Sequence, residues 1–169
     1  MAISISADSI LGYRQVEPNH LSAPRDGRVY AQLPAAEDMT VLEQGTFVKY
    51  DYAEGEVNFT GKGPWMMVFN EEKLYDERKQ MHRDFALLKD EAVHGVMVPR
   101  VFGMVAGDIY TTNNLEDGSY TIGDLLKVNE TTGRLTSGGT AGTALCAQVV
   151  KETTMPDGQP AVKVQIITA

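Results

Sequence analysis

The chain has 169 residues, with 15 basic against 23 acidic side chains, a formal charge of −8 at pH 7 and one cysteine. A surplus of carboxylates repels nucleic-acid phosphates, and the sequence shows no basic patch, so we expect no direct contact with nucleic acid. One cysteine cannot close an intramolecular disulfide, so stability must come from a buried core, from oligomerisation, or from both. No apolar run could span a bilayer and no secretory signal opens the chain, which predicts a soluble protein made in the cytosol without a membrane partner.

Residues 1–40 are rich in turn-forming residues and are interrupted by prolines at positions 18, 24 and 34. Proline removes a backbone donor and disfavours helix before it, so this stretch is unsuited to a long helix or a central strand. We predict an extended N-terminal arm with short strands, which either orders on a partner or is partly disordered. The predicted partner contacts in this arm are its apolar residues Ile3, Ile5, Ile10, Leu11, Tyr13 and Val16.

A β-rich domain is predicted over residues 41–169, beginning with a hairpin and a buried strand. Residues 46–52 and 57–60 are rich in β-branched and aromatic side chains and flank a glycine-containing turn, which is typical of a hairpin. The continuous apolar run 65–69 predicts a strand buried on both faces. Two of its members, Trp65 and Met67, are predicted anchors for a partner if they prove to be exposed.

Residues 70–94 form a charged insertion in this domain. Apolar residues recur there at the spacings of one helix face, at Leu74, Met81, Phe85 and Leu88. The alternation of residues 83, 85 and 87 fits a strand instead. We therefore expect either one short helix or a charged loop in this insertion.

From residue 95 onward, short apolar runs alternate with turn residues. The predicted strands cover residues 96–105, 108–112, 120–122, 125–128, 134–136, 144–150 and 161–167. Pro99 indicates an edge or a bulge in the first of them. Strands about every 8 to 12 residues predict a mainly β fold, a compact β-barrel or β-sandwich.

The residues that enzymes use for catalysis are sparse. His20, His82 and His94 are far apart in sequence and lack metal-ligand spacing. Cys146 lies in an apolar strand, so we interpret it as a core thiol with a raised pKa and not as a nucleophile. The glycine-rich stretch 138–143 leads into a strand, whereas a phosphate-binding loop opens a helix. We therefore expect no enzyme activity, no metal site and no cofactor.

Turn motifs recur in the last seventy residues. They are Gly-Asp before an apolar strand at 107–109 and at 123–126, Thr-Gly-Arg-Leu at 132–135, Gly-Thr-Ala-Leu at 142–145, and Asp-Gly before an alternating strand at 157–164. This pattern resembles tailed-bacteriophage capsid decoration (cement) and head structural proteins. The resemblance implies a non-enzymatic virion protein, assembled in the host cytoplasm, that binds the outside of the capsid and bridges subunits of the major capsid protein. It also implies a homotrimer or another homo-oligomer, and an arm that reaches over neighbouring subunits.

Two other functions remain open from the sequence. One is a phage tail-tube protein or another head or tail structural subunit, since tail-tube subunits are also small and rich in β structure. The other is a glycan-binding β module, which would need aromatic platforms beside paired carboxylates, and this chain has a single tryptophan. An acidic surface suits the decoration hypothesis, because like charge keeps coated particles apart.

Overall fold

The computed structural model describes residues 2–70, 85–142 and 144–169. Its strands are β1 (Ile3–Ile5), β2 (Val16–His20), β3 (Val29–Tyr30), β4 (Val41–Glu43), β5 (Phe47–Asp51), β6 (Glu56–Asn58), β7 (Met66–Val68), β8 (Ala86–Leu88), β9 (Val101–Gly103), β10 (Ile109–Thr112), β11 (Gly118–Tyr120), β12 (Leu125–Val128), β13 (Leu135–Ser137), β14 (Cys146–Thr154) and β15 (Pro160–Thr168). One-turn 3-10 helices lie at Ala7–Ser9, Lys89–Glu91 and Val93–Gly95. None of the helices in the described ranges is long and apolar enough to cross a membrane.

The strands form two large sheets and two small ones. The larger has the order β13-β12-β14-β15-β10-β2, and the other has the order β3-β9-β7-β5-β6. Two-stranded sheets join β1 to β11 and β4 to β8. The mainly β prediction is confirmed; of the sheets in the described residues none closes into a barrel, and the arrangement is consistent with the sandwich-like alternative.

The five-stranded sheet separates two apolar cores. The first core joins it to the six-stranded sheet, and the second core covers its other face. Strand β7 shows the division, because Met67 enters the first core while Met66 and Val68 enter the second. Alternate residues of a strand point to opposite faces, so the apolar run 65–69 supplies both cores at once. The prediction of a strand buried on both faces is confirmed here.

Two predicted hairpins are present. Strands β5 and β6 pair from Lys49↔Asn58 to Asp51↔Glu56 around the expected turn. Strands β14 and β15 form a hairpin of nine-residue strands closed by the turn at 156–158. Pro99 lies before β9 and outside it, so it marks neither an edge nor a bulge of that strand.

Residues 2–40 contain three short strands, as the sequence predicted. Strand β1 pairs with β11, β2 with β10, and β3 with β9, so these strands belong to the sheets of the β-rich domain. Strand β2 is an edge strand, and Pro18 is tolerated there because no strand on the outer side requires the N–H that proline lacks.

The charged insertion is described from residue 85 onward, and the part that carries Leu74, Met81 and His82 lies outside the described residues. Strand β8 pairs with β4, with Val41 opposite Leu88. A helix through residues 85 and 88 is therefore wrong, and the strand alternative holds at 86–88. The pairing also places Leu87 against the second core, which favours the extended conformation.

A candidate docking cleft

A set of side-chain hydrogen bonds, here the polar clamp of Gln15, Asn113, Asp157 and Gln159, fixes residues 11–15 to the body of the protein. The Leu11 N–H donates to Gln159 Oε1 at 2.7 Å, and Gln159 Nε2 donates back to the Leu11 carbonyl at 3.2 Å. The Gln15 N–H donates to Asn113 Oδ1 at 2.6 Å. Asp157 Oδ2 accepts from Gln15 Nε2 at 2.7 Å and from Gln159 Nε2 at 2.6 Å. Side chains of the clamp therefore satisfy backbone groups of residues 11 and 15 that a neighbouring strand would otherwise bond.

Asp157 is the charged member of the clamp. Desolvation acts to raise the pKa of this carboxyl, but hydrogen bonds from the Gln159 backbone and from the Gln15 and Gln159 side chains outweigh it and leave the pKa below its ordinary value. Asp157 is thus ionised at neutral pH, and its bonds are charge-assisted, which makes them stronger than bonds between neutral groups.

Next to the clamp lies a cleft of about 340 Å³, here the docking cleft. Its principal lining residues are Tyr13, Val41, Glu43, Phe59, Thr132 and Arg134. They come from the segment 11–15 that the clamp fixes, from β4, from the end of the β5–β6 hairpin and from the β12–β13 turn. On the rim, Val41 is 46% exposed, and Leu11, adjacent to lining residue Gly12, is 71% exposed.

The charges below the cleft are paired internally. The Glu43 carboxylate accepts from the Arg14 N–H at 3.1 Å and contacts the guanidinium groups of Arg14 at 3.5 Å and Arg134 at 3.3 Å. Behind the β12–β13 turn, Glu116 accepts hydrogen bonds from Thr132 and Asn129. The docking cleft therefore combines the apolar side chains of Tyr13, Val41 and Phe59 with charged groups that are already paired within the protein.

Four of the predicted contact residues lie inside the fold. Ile5 and Met67 are fully buried in the first core, and Val16 is buried beside them. Trp65 is 8% exposed, and Lys49 Nζ lies 4.2 Å from the centroid of its ring. The condition of exposure set for Trp65 and Met67 is not met, so these four side chains stabilise the protein and do not present a surface.

The other four predicted contacts lie nearer the surface. Ile3 and Ile10 are half-buried and pack against the first core. Tyr13 lines the docking cleft, and Leu11 is exposed next to the lining residue Gly12. The sequence did not single out Val41, Phe59 or Arg134, because they reach the cleft from three separate elements and no local spacing links them.

The chemically reactive candidates do not form a second site. Cys146 is 1% exposed and burial raises the pKa of its thiol, so the prediction of a core cysteine is confirmed. His20 and His94 are exposed, and His82 lies outside the described residues. The glycine-rich stretch leads into β14, as expected. In the described ranges, no three His, Cys, Asp or Glu side chains are grouped so that they could hold a metal ion.

Comparison with protein-family models, curated proteins and solved structures gives no match to the chain. The structure defines a mainly β protein with two large antiparallel sheets and a cleft, lined by both apolar and charged side chains, beside a polar clamp.

Proposed function

We propose that this protein is a non-enzymatic virion structural protein that binds the outer surface of a phage capsid and bridges subunits of the major capsid protein. The observation that carries the proposal is the docking cleft: its lining residue Val41 is exposed, and Leu11, exposed next to lining residue Gly12, has its backbone fixed by Gln159. The resemblance of the turn motifs to capsid decoration proteins supplies the nature of the partner. A homo-oligomer, with a trimer as the first expectation, is part of the same proposal.

One of the motifs that carry the resemblance lines the cleft, and another belongs to the adjoining clamp. Thr132 and Arg134, in the Thr-Gly-Arg-Leu motif, line one wall of the cleft. Asp157, in the Asp-Gly motif, is the charged centre of the clamp. The two motifs therefore contribute to the cleft and to the support beside it, which supports the proposal.

The clamp suits attachment because it fixes the backbone before any partner arrives. Binding costs free energy for every segment that must be ordered, and both backbone groups of Leu11 are already bonded to Gln159. A cleft of about 340 Å³ accepts an apolar side chain from a partner loop. Weak contacts of this kind, repeated over a shell, sum to strong attachment.

Co-sedimentation with expanded heads, assembled from the major capsid protein encoded by the same genome, tests the proposal. Leu11→Asp and Val41→Asp place a charge on the rim, and we expect about tenfold weaker binding from either, which is about 1.4 kcal/mol. Ile122→Asp is the matched control, since Ile122 is 64% exposed and lies outside the cleft. Binding that neither rim substitution changes would refute this surface.

Deletion of residues 1–40 is a poor test, because it removes β1, β2 and β3 from the sheets. Copy number separates the alternatives: hundreds of icosahedrally ordered copies fit decoration, whereas copies confined to the tail fit a tail-tube subunit. A glycan-binding module is disfavoured because Trp65, the only tryptophan in the sequence, is buried and cannot stack on a sugar.

A further inference from the structure

Three tyrosines meet on the face of the five-stranded sheet that carries the second core. Tyr30 ends β3, Tyr50 lies in β5, and Tyr52, directly after β5 and two residues after Tyr50, is on the same face. Together with Gly63, Pro64 and Met66 they line a cavity of about 160 Å³, here the tyrosine pocket. This pocket has no lining residue in common with the docking cleft.

The rings form walls and not a platform. The centroids of Tyr30 and Tyr50 are 6.3 Å apart with the ring planes at 65°, and those of Tyr50 and Tyr52 are 5.8 Å apart at 86°. Tyr50 is buried, and its hydroxyl accepts from the Gln32 N–H at 3.2 Å, so the central ring is fixed. A flat sugar ring stacks on a platform, whereas rings at steep angles suit a compact group that touches several of them.

None of the six residues that line the tyrosine pocket is charged, so a cation there meets no fixed positive group among them. Of the basic residues close in sequence to the lining, Arg28 pairs with Asp26 at 3.1 Å, Lys49 lies over Trp65 and Lys62 is exposed. The chain as a whole has a charge of −8, which adds a long-range attraction for cations.

We propose that the tyrosine pocket binds a quaternary ammonium group. The face of an aromatic ring is negative, and a cation within about 6 Å of the ring centre is attracted to it. A trimethylammonium head has no N–H to satisfy, so it needs aromatic faces and not acceptors. The volume of about 160 Å³ is well below the roughly 300–1,000 Å³ of pockets for drug-sized ligands. The volume therefore suits a compact head and not a drug-sized ligand.

The first experiment titrates the full chain with choline while the tyrosine ring signals are followed by NMR. The neutral carbon isostere of choline, in which tert-butyl replaces trimethylammonium, is the matched ligand, and we expect it to bind about fivefold more weakly. Equal binding of the two, or saturable binding of an oligoproline peptide but not of choline, would overturn the proposal. A trimethyl-lysine peptide and phosphatidylcholine vesicles are titrated in parallel, to identify which molecule supplies the quaternary ammonium group. If choline, the peptide and the vesicles all fail to bind, the proposal is also refuted.

Substitutions locate the site. Tyr52 is 76% exposed, so Tyr52→Ala is expected to leave the fold intact and to weaken choline binding about fivefold, while Tyr52→Phe retains the ring and the affinity. Tyr13→Ala, in the docking cleft, is the control and should leave choline binding unchanged. If Tyr52→Ala binds choline as tightly as the unchanged protein, the pocket is not the site. Because the two surfaces share no lining residue, failure here leaves the capsid proposal standing.

Discussion

Gly133 lies in the β12–β13 turn at a point where the chain has no room for a side chain. Its φ is +69°, a conformation that side-chain-bearing residues rarely adopt. A Cβ there would meet the Phe47 carbonyl, and would lie 2.7 Å from Phe59 Cε1 and 2.8 Å from Thr46 Cγ2. Gly133→Ala therefore combines the left-handed backbone cost of about 1–2 kcal/mol with an overpacking cost of about 1–3 kcal/mol.

We expect Gly133→Ala to lower the free energy of unfolding by about 2–5 kcal/mol. The assay is urea-induced unfolding, with an unchanged m value showing that the loss is one of stability. At about 2–4 °C per kcal/mol for a chain of this size, the Tm should fall by about 4–20 °C.

Gly138→Ala is the matched control. Gly138 also has a positive φ, +87°, but nothing lies within 4 Å of a Cβ built there. Gly138→Ala should show the backbone cost alone. The difference between the two variants in free energy of unfolding therefore measures the cost of the contact between a Cβ at residue 133 and β5. A difference below about 0.5 kcal/mol would refute the packing argument.

The remaining predictions concern buried polar groups. Asn114→Ala removes a fully buried side chain that donates to the Gln44 carbonyl at 2.7 Å and to Thr46 Oγ1 at 3.1 Å, and should cost about 2–3 kcal/mol in the same urea assay; a loss within error would contradict this. Because the pKa of Asp157 is lowered on folding, its stabilising contribution is present above the unfolded pKa of about 3.9 and is lost as pH falls through the folded value. Asp157→Asn should therefore flatten the acid limb of stability against pH, and an unchanged acid limb would be evidence against the clamp. Burial raises the pKa of Cys146, so a thiol reagent at mildly alkaline pH should label native protein far more slowly than urea-unfolded protein; equal rates would contradict that burial.

The strands that could be predicted are those whose own residues determine that they are extended. The run 65–69 has an apolar residue at every position, so it fits a strand with a core on each side whatever its neighbours are. The β14–β15 hairpin has alternating strands and a Pro-Asp-Gly turn between them. These signals do not depend on distant residues, and the structure agrees with them.

The N-terminal segment could not be predicted in the same way. Its backbone groups at residues 11 and 15 bond to side chains 148 and 98 residues away, and no pattern within residues 1–40 records those partners. The same applies to the docking cleft. Leu11 and Tyr13 are visible as apolar residues in a polar stretch, but Val41, Phe59 and Arg134 acquire their role only when three elements converge.

The polar clamp also constrains the order in which the protein folds. Residues 11–15 leave the ribosome before their partners, since Asp157 is made 142 residues after Gln15 and Gln159 is made 148 residues after Leu11. Closing a loop of that length has a high entropic cost and gains nothing until the β14–β15 hairpin exists, so docking of the N-terminal segment should be a late and slow step. Until then, Leu11 lacks its partner Gln159 and Gln15 lacks Asp157, and the newly made chain must keep its first strands from pairing with those of other copies.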